Sequence, residues 1–109
     1  MNTTTLAWLY LIIAGIFEMV WAVGLKYTEG FTKLLPSIWT FGAMAVSVYL
    51  LSLAVKTIPI GTAYAVWTGI GAASTVIMGI ILFNEPLTLI RIFLVLLIIF
   101  AIVGLKLTS

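Results

Sequence analysis

Cysteine and histidine are absent from this chain, and charge is scarce. Without cysteine there is no disulfide and no thiolate nucleophile. Without histidine there is no imidazole acid–base chemistry, and zinc loses its usual ligands. Only 7% of the 109 residues are charged and 64% are hydrophobic, whereas an ordinary soluble domain carries about 25% charged residues. A soluble fold of this length could not hide so much apolar surface, and the remainder would aggregate. An integral membrane protein is the class left standing. The formal net charge of +2 is spread over isolated lysines and one arginine. It forms no basic stripe, which argues against a nucleic-acid partner. No nucleophile–base pair, metal-ligand cluster or cofactor motif accompanies the few polar groups, so neither an enzyme nor a bound cofactor is expected. The opening MNTTTLAWLY lacks the positive segment of a signal peptide and its apolar run continues too long, so it is read as a retained first membrane span.

What the chain has in abundance is long apolar runs. A membrane helix needs about 20 mostly apolar residues, and four runs qualify, over 6–25, 34–55, 58–83 and 89–107. The fold class expected is therefore all-α, with four short transmembrane helices forming one domain over 1–109. The connectors are short, and Pro36 and Pro59 lie near span starts, where a missing N–H costs little. Arg91 and Lys106, near the ends of the fourth run, can snorkel to the interfaces on their long stems. Trp8 is expected in an interfacial belt, and Glu29 and Glu85 as solvated connector charges. Numbered by chain order, one side of the membrane receives Lys56 and Lys106 and the other Lys26, Lys33 and Arg91. By the positive-inside rule that is almost no bias. A chain so balanced can insert both ways up, and two opposed copies would supply the inverted repeat that many transporters build within one chain.

One acid interrupts the first run. Glu18 lies 12 residues after Leu6 and 8 before Lys26, roughly 18 Å and 12 Å along a helix axis. That is near the midplane of a ~30 Å hydrocarbon core, with Lys26 too far away to neutralise it. An ionised Glu there costs at least about 2.5–3.5 kcal/mol on insertion scales. A proton or a bound cation is therefore expected to sit on it, and Glu18 is read as a proton and cation site. Neighbours on its helix face fall three, four and seven residues away. Gly15 and Ala14 leave room beside the carboxylate, and Trp21, one turn on, is too deep for a belt residue and is assigned to the site.

The third run adds 59-PIGTAYAVWTGIG-71, in which Tyr64 and Trp67 share a face as an aromatic wall with two hydrogen-bonding tips. Gly69 and Gly71 either admit a hinge or allow close packing; the residues leave both readings open. Ser47 is the one small hydroxyl near the middle of the second run. It can donate to a carboxylate or bond back to its own helix, the usual fate. In the fourth run Ala101 and Gly104 form a small-residue patch suited to contact between copies.

Taken together, these residues resemble the small multidrug resistance transporter family, and its guanidinium-exporter subtype most closely. The resemblance spans essentially the whole chain. It is carried by Glu18 with Trp21 and 25-LK-26, by 56-KTIPIGTAYAVWTGIG-71, by the 83-FNEP-86 turn and by the closing 104-GLK-106. It implies a multi-pass protein of the bacterial inner membrane, an antiparallel dual-topology homodimer, and one midplane site lined by Glu18 from both copies. The family's hydrogen-bond network maps onto Trp21, Ser47, Tyr64 and Trp67, while Trp21 and Lys106 fit the guanidinium subtype. The function implied is proton-coupled export of guanidinium and small substituted guanidinium-like cations by alternating access. A broader exporter of quaternary ammonium and polyaromatic cations, or a small cation channel, stands as the alternative.

Overall fold

The structure is a computed structural model that describes residues 2–108. Four helices carry the chain: α1 (Thr3–Tyr27), α2 (Leu34–Ala54), α3 (Ile60–Phe83) and α4 (Leu89–Thr108). Each is long and apolar enough to cross a membrane. At 1.5 Å per residue, the 25 residues of α1 reach about 37 Å, enough to span the hydrocarbon with some tilt.

Local chemistry sets the helix ends. α1 starts before the apolar run because the Asn2 side chain accepts a hydrogen bond from the Thr5 N–H at 2.8 Å, an N-cap that lets polar Thr3–Thr5 begin the helix. α3 starts after the expected position 58 because Pro59 is extended, with ψ 140°, while Ile58 is buried in the turn before it. α3 ends at Asn84, whose left-handed backbone (φ 53°) is one that asparagine tolerates better than most residues. The α1–α2 connector is folded around Thr28. Its hydroxyl donates to the Leu25 carbonyl at 2.7 Å and accepts from the Phe31 N–H at 3.2 Å.

α1 lies between α2 and α3, and α4 is added on the far flank of α3. The result is a flat slab, 41 × 35 × 22 Å across its Cα atoms, rather than a closed four-helix bundle. Small residues permit the close crossings. On α1 the inward stripe runs Ala7, Leu11, Ala14 at helical spacing, all buried, and the same stripe continues to Glu18. On α2 it is Thr40, Ala43, Ser47 and Ala54, and on α3 Ala63, Val66 and Ala73. A β-carbon at Gly24 would collide with the Thr40 hydroxyl, and one at Gly15 would come within 2.6 Å of Ile70, so backbone meets side chain directly at both crossings.

Trp8 departs from the expectation of an interfacial belt. It is buried in the core cluster with Leu11, Ala54, Ile58 and Val66, because its position on α1 falls on the inward stripe. The Lys106 ammonium lies 5.4 Å from its ring centroid, an arrangement of cation over aromatic face. Glu85 departs too. It is not a free connector charge but is paired with Arg91, Nη2 to Oε1 at 3.4 Å, so Arg91 turns toward an acid rather than only toward the interface.

Candidate functional site

Helical phase alone turns Glu18 inward, since it follows Ala7, Leu11 and Ala14 at spacings of four, three and four on a 3.6-residue period. What it meets is bare backbone. Its carboxylate lies against Gly71 of α3, where a β-carbon would collide with Oε1. The acid opens onto a cavity of about 530 Å³ lined by Trp21, Tyr64, Trp67, Thr68 and Thr75 with Glu18 itself. Tyr64 and Trp67 stand with ring centroids 5.7 Å apart and planes tilted by 52°, a favourable edge-tilted pair. Together the cavity offers one carboxylate, three aromatic faces and three hydroxyls in apolar surroundings.

Ser47 holds this wall in register. Its hydroxyl donates to the Ala14 carbonyl on α1 at 2.7 Å and accepts from the Trp67 indole N–H on α3 at 2.9 Å. It bonds neither to its own helix nor to Glu18, in contrast to the sequence expectation. The backbone explains the choice, because small Ala14 and Ala43 bring α1 and α2 close enough for a short side chain to reach across. Residue 14 is also the helical acceptor for the N–H of residue 18. Ser47 thus grips the turn of α1 that carries the acid, and fixes the ring of Trp67 to it.

The remaining predicted residues divide. Ala14 is fully buried and contributes its carbonyl. Gly15 faces Ile70, and Gly69 faces Ile102 and Ile98 of α4, so both sit at helix crossings rather than on the cavity. α3 continues unbroken through Gly69 and Gly71. Lys106 lies over Trp8, away from the Glu18 cavity. The Trp21 indole nitrogen is buried and donates to no described atom, leaving a donor unspent beside the acid. Sequence reasoning missed Thr68 and Thr75. Their signal was spacing: 64, 68, 71 and 75 repeat at four, three and four, which continues the Tyr64 face along α3.

The profile of the Small Multidrug Resistance protein family matches residues 6–98. The chain therefore belongs to the small multidrug resistance family, and with four membrane-spanning helices it is a multi-pass bacterial inner-membrane protein. It is 56% identical over 104 residues to a guanidinium exporter of Proteus vulgaris, covering 95% of this chain and 100% of that one. A guanidinium exporter of Yersinia pseudotuberculosis is 57% identical over the same span, again 95% and 100% of the two chains. One from Citrobacter freundii is 54% identical, covering 95% and 99%.

Proposed function

We propose that this protein is a transporter, not an enzyme, and exports guanidinium and small guanidinium-like cations in exchange for protons. The observation that carries the reading is Glu18 itself: the one carboxylate facing the aromatic cavity, set against Gly71 among Trp21, Tyr64 and Trp67. Guanidinium is planar, cationic and rich in N–H donors. It can bond a carboxylate through two parallel N–H groups and rest its face on an aromatic ring, a contact worth about 2 kcal/mol or more when desolvated. The names and high identity of the relatives support the same cargo.

Coupling follows from competition for one group. A carboxylate at this depth is expensive when bare, so either protons or the cation occupy it. An occupied site can pass between inward-open and outward-open states at low cost, and protons running inward then drive the cation outward by alternating access. Ser47 and Trp67 fix the turn and the ring around the acid, and Gly69 and Gly71 give α3 a place to bend.

The functional unit in this reading is an antiparallel, dual-topology homodimer whose midplane site takes Glu18 from both copies. Support comes from the near-equal split of Lys and Arg between the two sides and from the flat slab, which leaves faces uncovered. A β-carbon at Gly104 of α4 would meet nothing within 4 Å, so that patch is open to another chain. The test is pH-gradient-driven guanidinium uptake into vesicles holding the purified protein. Glu18→Gln should abolish coupled uptake, and full coupled transport by that variant would sink the proposal.

A further inference from the structure

The Glu18 cavity continues toward the Lys26 end of α1. A second recess of about 240 Å³ is bounded by Lys26, Thr75, Gly79, Phe83 and Glu85, and Ala22, Thr75 and Val76 line both spaces. On α3, Gly71, Thr75 and Gly79 follow at intervals of four and form one ridge. The Glu18 carboxylate rests on the first of them and the Glu85 carboxylate on the last, since a β-carbon at Gly79 would collide with Glu85 Oε1. The eight-residue offset between the glycines puts the two seats about 12 Å apart along the axis, with Thr75 between.

The position of Glu85 is built into the fold. The left-handed turn at Asn84 sends the chain back on itself, and the N–H groups of Asn84 and Glu85 both donate to the Gly79 carbonyl. Arg91 approaches from the α4 side with a single contact, Nη2 to Oε1 at 3.4 Å. A forked arginine–carboxylate pair makes two bonds of about 2.7–2.9 Å. The Arg91 Nε is buried and donates to no described atom. The backbone of Glu85 is pinned to Gly79, while its carboxylate is bound to Arg91 by that one long contact.

We propose that Glu85 is an outer cation site at the mouth of the path to Glu18, and that it accepts the cargo by exchange with the Arg91 side chain. Arg91 carries the same planar, N–H-bearing group as guanidinium, so a seat that accommodates one accommodates the other. Lys26 lines the same recess with its ammonium 4.7 Å from the Phe83 ring centroid. Glu85 is thus the carboxylate that offsets two fixed cations where the incoming cation arrives. The inference rests on Glu18 being the inner cation site.

The test compares initial rates of guanidinium uptake at subsaturating concentration in vesicles holding the full chain, Glu85→Gln, Glu85→Asp or Arg91→Gln. Equilibrium guanidinium binding is read in parallel from tryptophan fluorescence. Glu85→Gln should slow uptake about tenfold at low salt, within the range for a steering charge at a cleft mouth, and the deficit should shrink as salt is raised. Glu85→Asp should keep most of the rate, and Arg91→Gln should raise it. Equilibrium occupancy of the Glu18 site, which Trp21 and Trp67 line and report, should be unchanged in all of them and lost in Glu18→Gln. If the ion pair only braces the fold, Glu85→Gln and Arg91→Gln will slow uptake alike. That result overturns the proposal, as does parental uptake by Glu85→Gln, or loss of its equilibrium binding. Undiminished binding by Glu18→Gln would instead overturn the inner site.

Discussion

The Glu18 carboxylate of α1 rests on the bare backbone of Gly71 in α3, where an added β-carbon would collide with it as it now lies. A methyl group there would push on the far end of a flexible side chain, which can swing aside. Gly71→Ala should therefore fold and yet misplace the acid. Losing one charge-assisted hydrogen bond is worth about 1.5–3 kcal/mol, so guanidinium affinity should fall about tenfold or more. Titration of intrinsic tryptophan fluorescence measures it, and wild-type affinity in this variant would show that the contact has no bearing on binding.

Gly15→Ala should behave in the opposite way. Its added carbon would come within 2.6 Å of Ile70, a β-branched side chain with little freedom to turn. Overpacking of this kind costs about 1–3 kcal/mol. The loss should appear as a lower midpoint of thermal or denaturant unfolding in detergent, while guanidinium affinity of the folded fraction stays near that of the parent.

Breaking the Trp67–Ser47–Ala14 chain tests how the wall is held. Ser47→Ala leaves a half-buried indole N–H without its acceptor and should destabilise by about 1 kcal/mol, the low end of the penalty for an unsatisfied donor. Trp67→Phe removes the donor but keeps an aromatic face, and should cost less through this bond. The double variant should be less destabilised than the sum of the two, and simple additivity in that cycle would mean the hydrogen bond contributes nothing.

Under the proposed competition of proton and cation for one carboxylate, guanidinium binding should weaken as pH falls. The sign is fixed by the chemistry: acid adds protons, and each proton on Glu18 removes a seat for the cation. Well into the protonated range the apparent Kd should rise about tenfold per pH unit for each proton displaced. Isothermal titration across a pH series checks both slope and sign. A flat profile would separate the cation site from the proton site.

The four apolar runs and the acid in the first of them were legible in the sequence because a membrane span and a charge within it are among the strongest composition signals a chain carries. Helical spacing alone put Trp21 beside Glu18 and Tyr64 beside Trp67; that the second pair faces the acid was implied only by the family resemblance. The cross-helix role of Ser47 was not legible. Its acceptor is the Ala14 carbonyl, a backbone group with no residue signature, and its reach depends on how closely α1 and α2 approach. Glu85 was hidden for a related reason: one left-handed residue, Asn84, folds it back onto Gly79. Trp8 looked like a lipid-facing anchor because sequence position gives depth but not the side on which α1 meets its neighbours.

Gly104 and the outward flank of α4 leave a rod fastened to the slab along one edge, with none of its residues buried. Substitutions on that outer edge disturb little that a solitary chain needs in order to fold. In the proposed pairing of copies their effects should fall instead on how the two chains associate, so variants that look harmless in a single chain would still silence the pair.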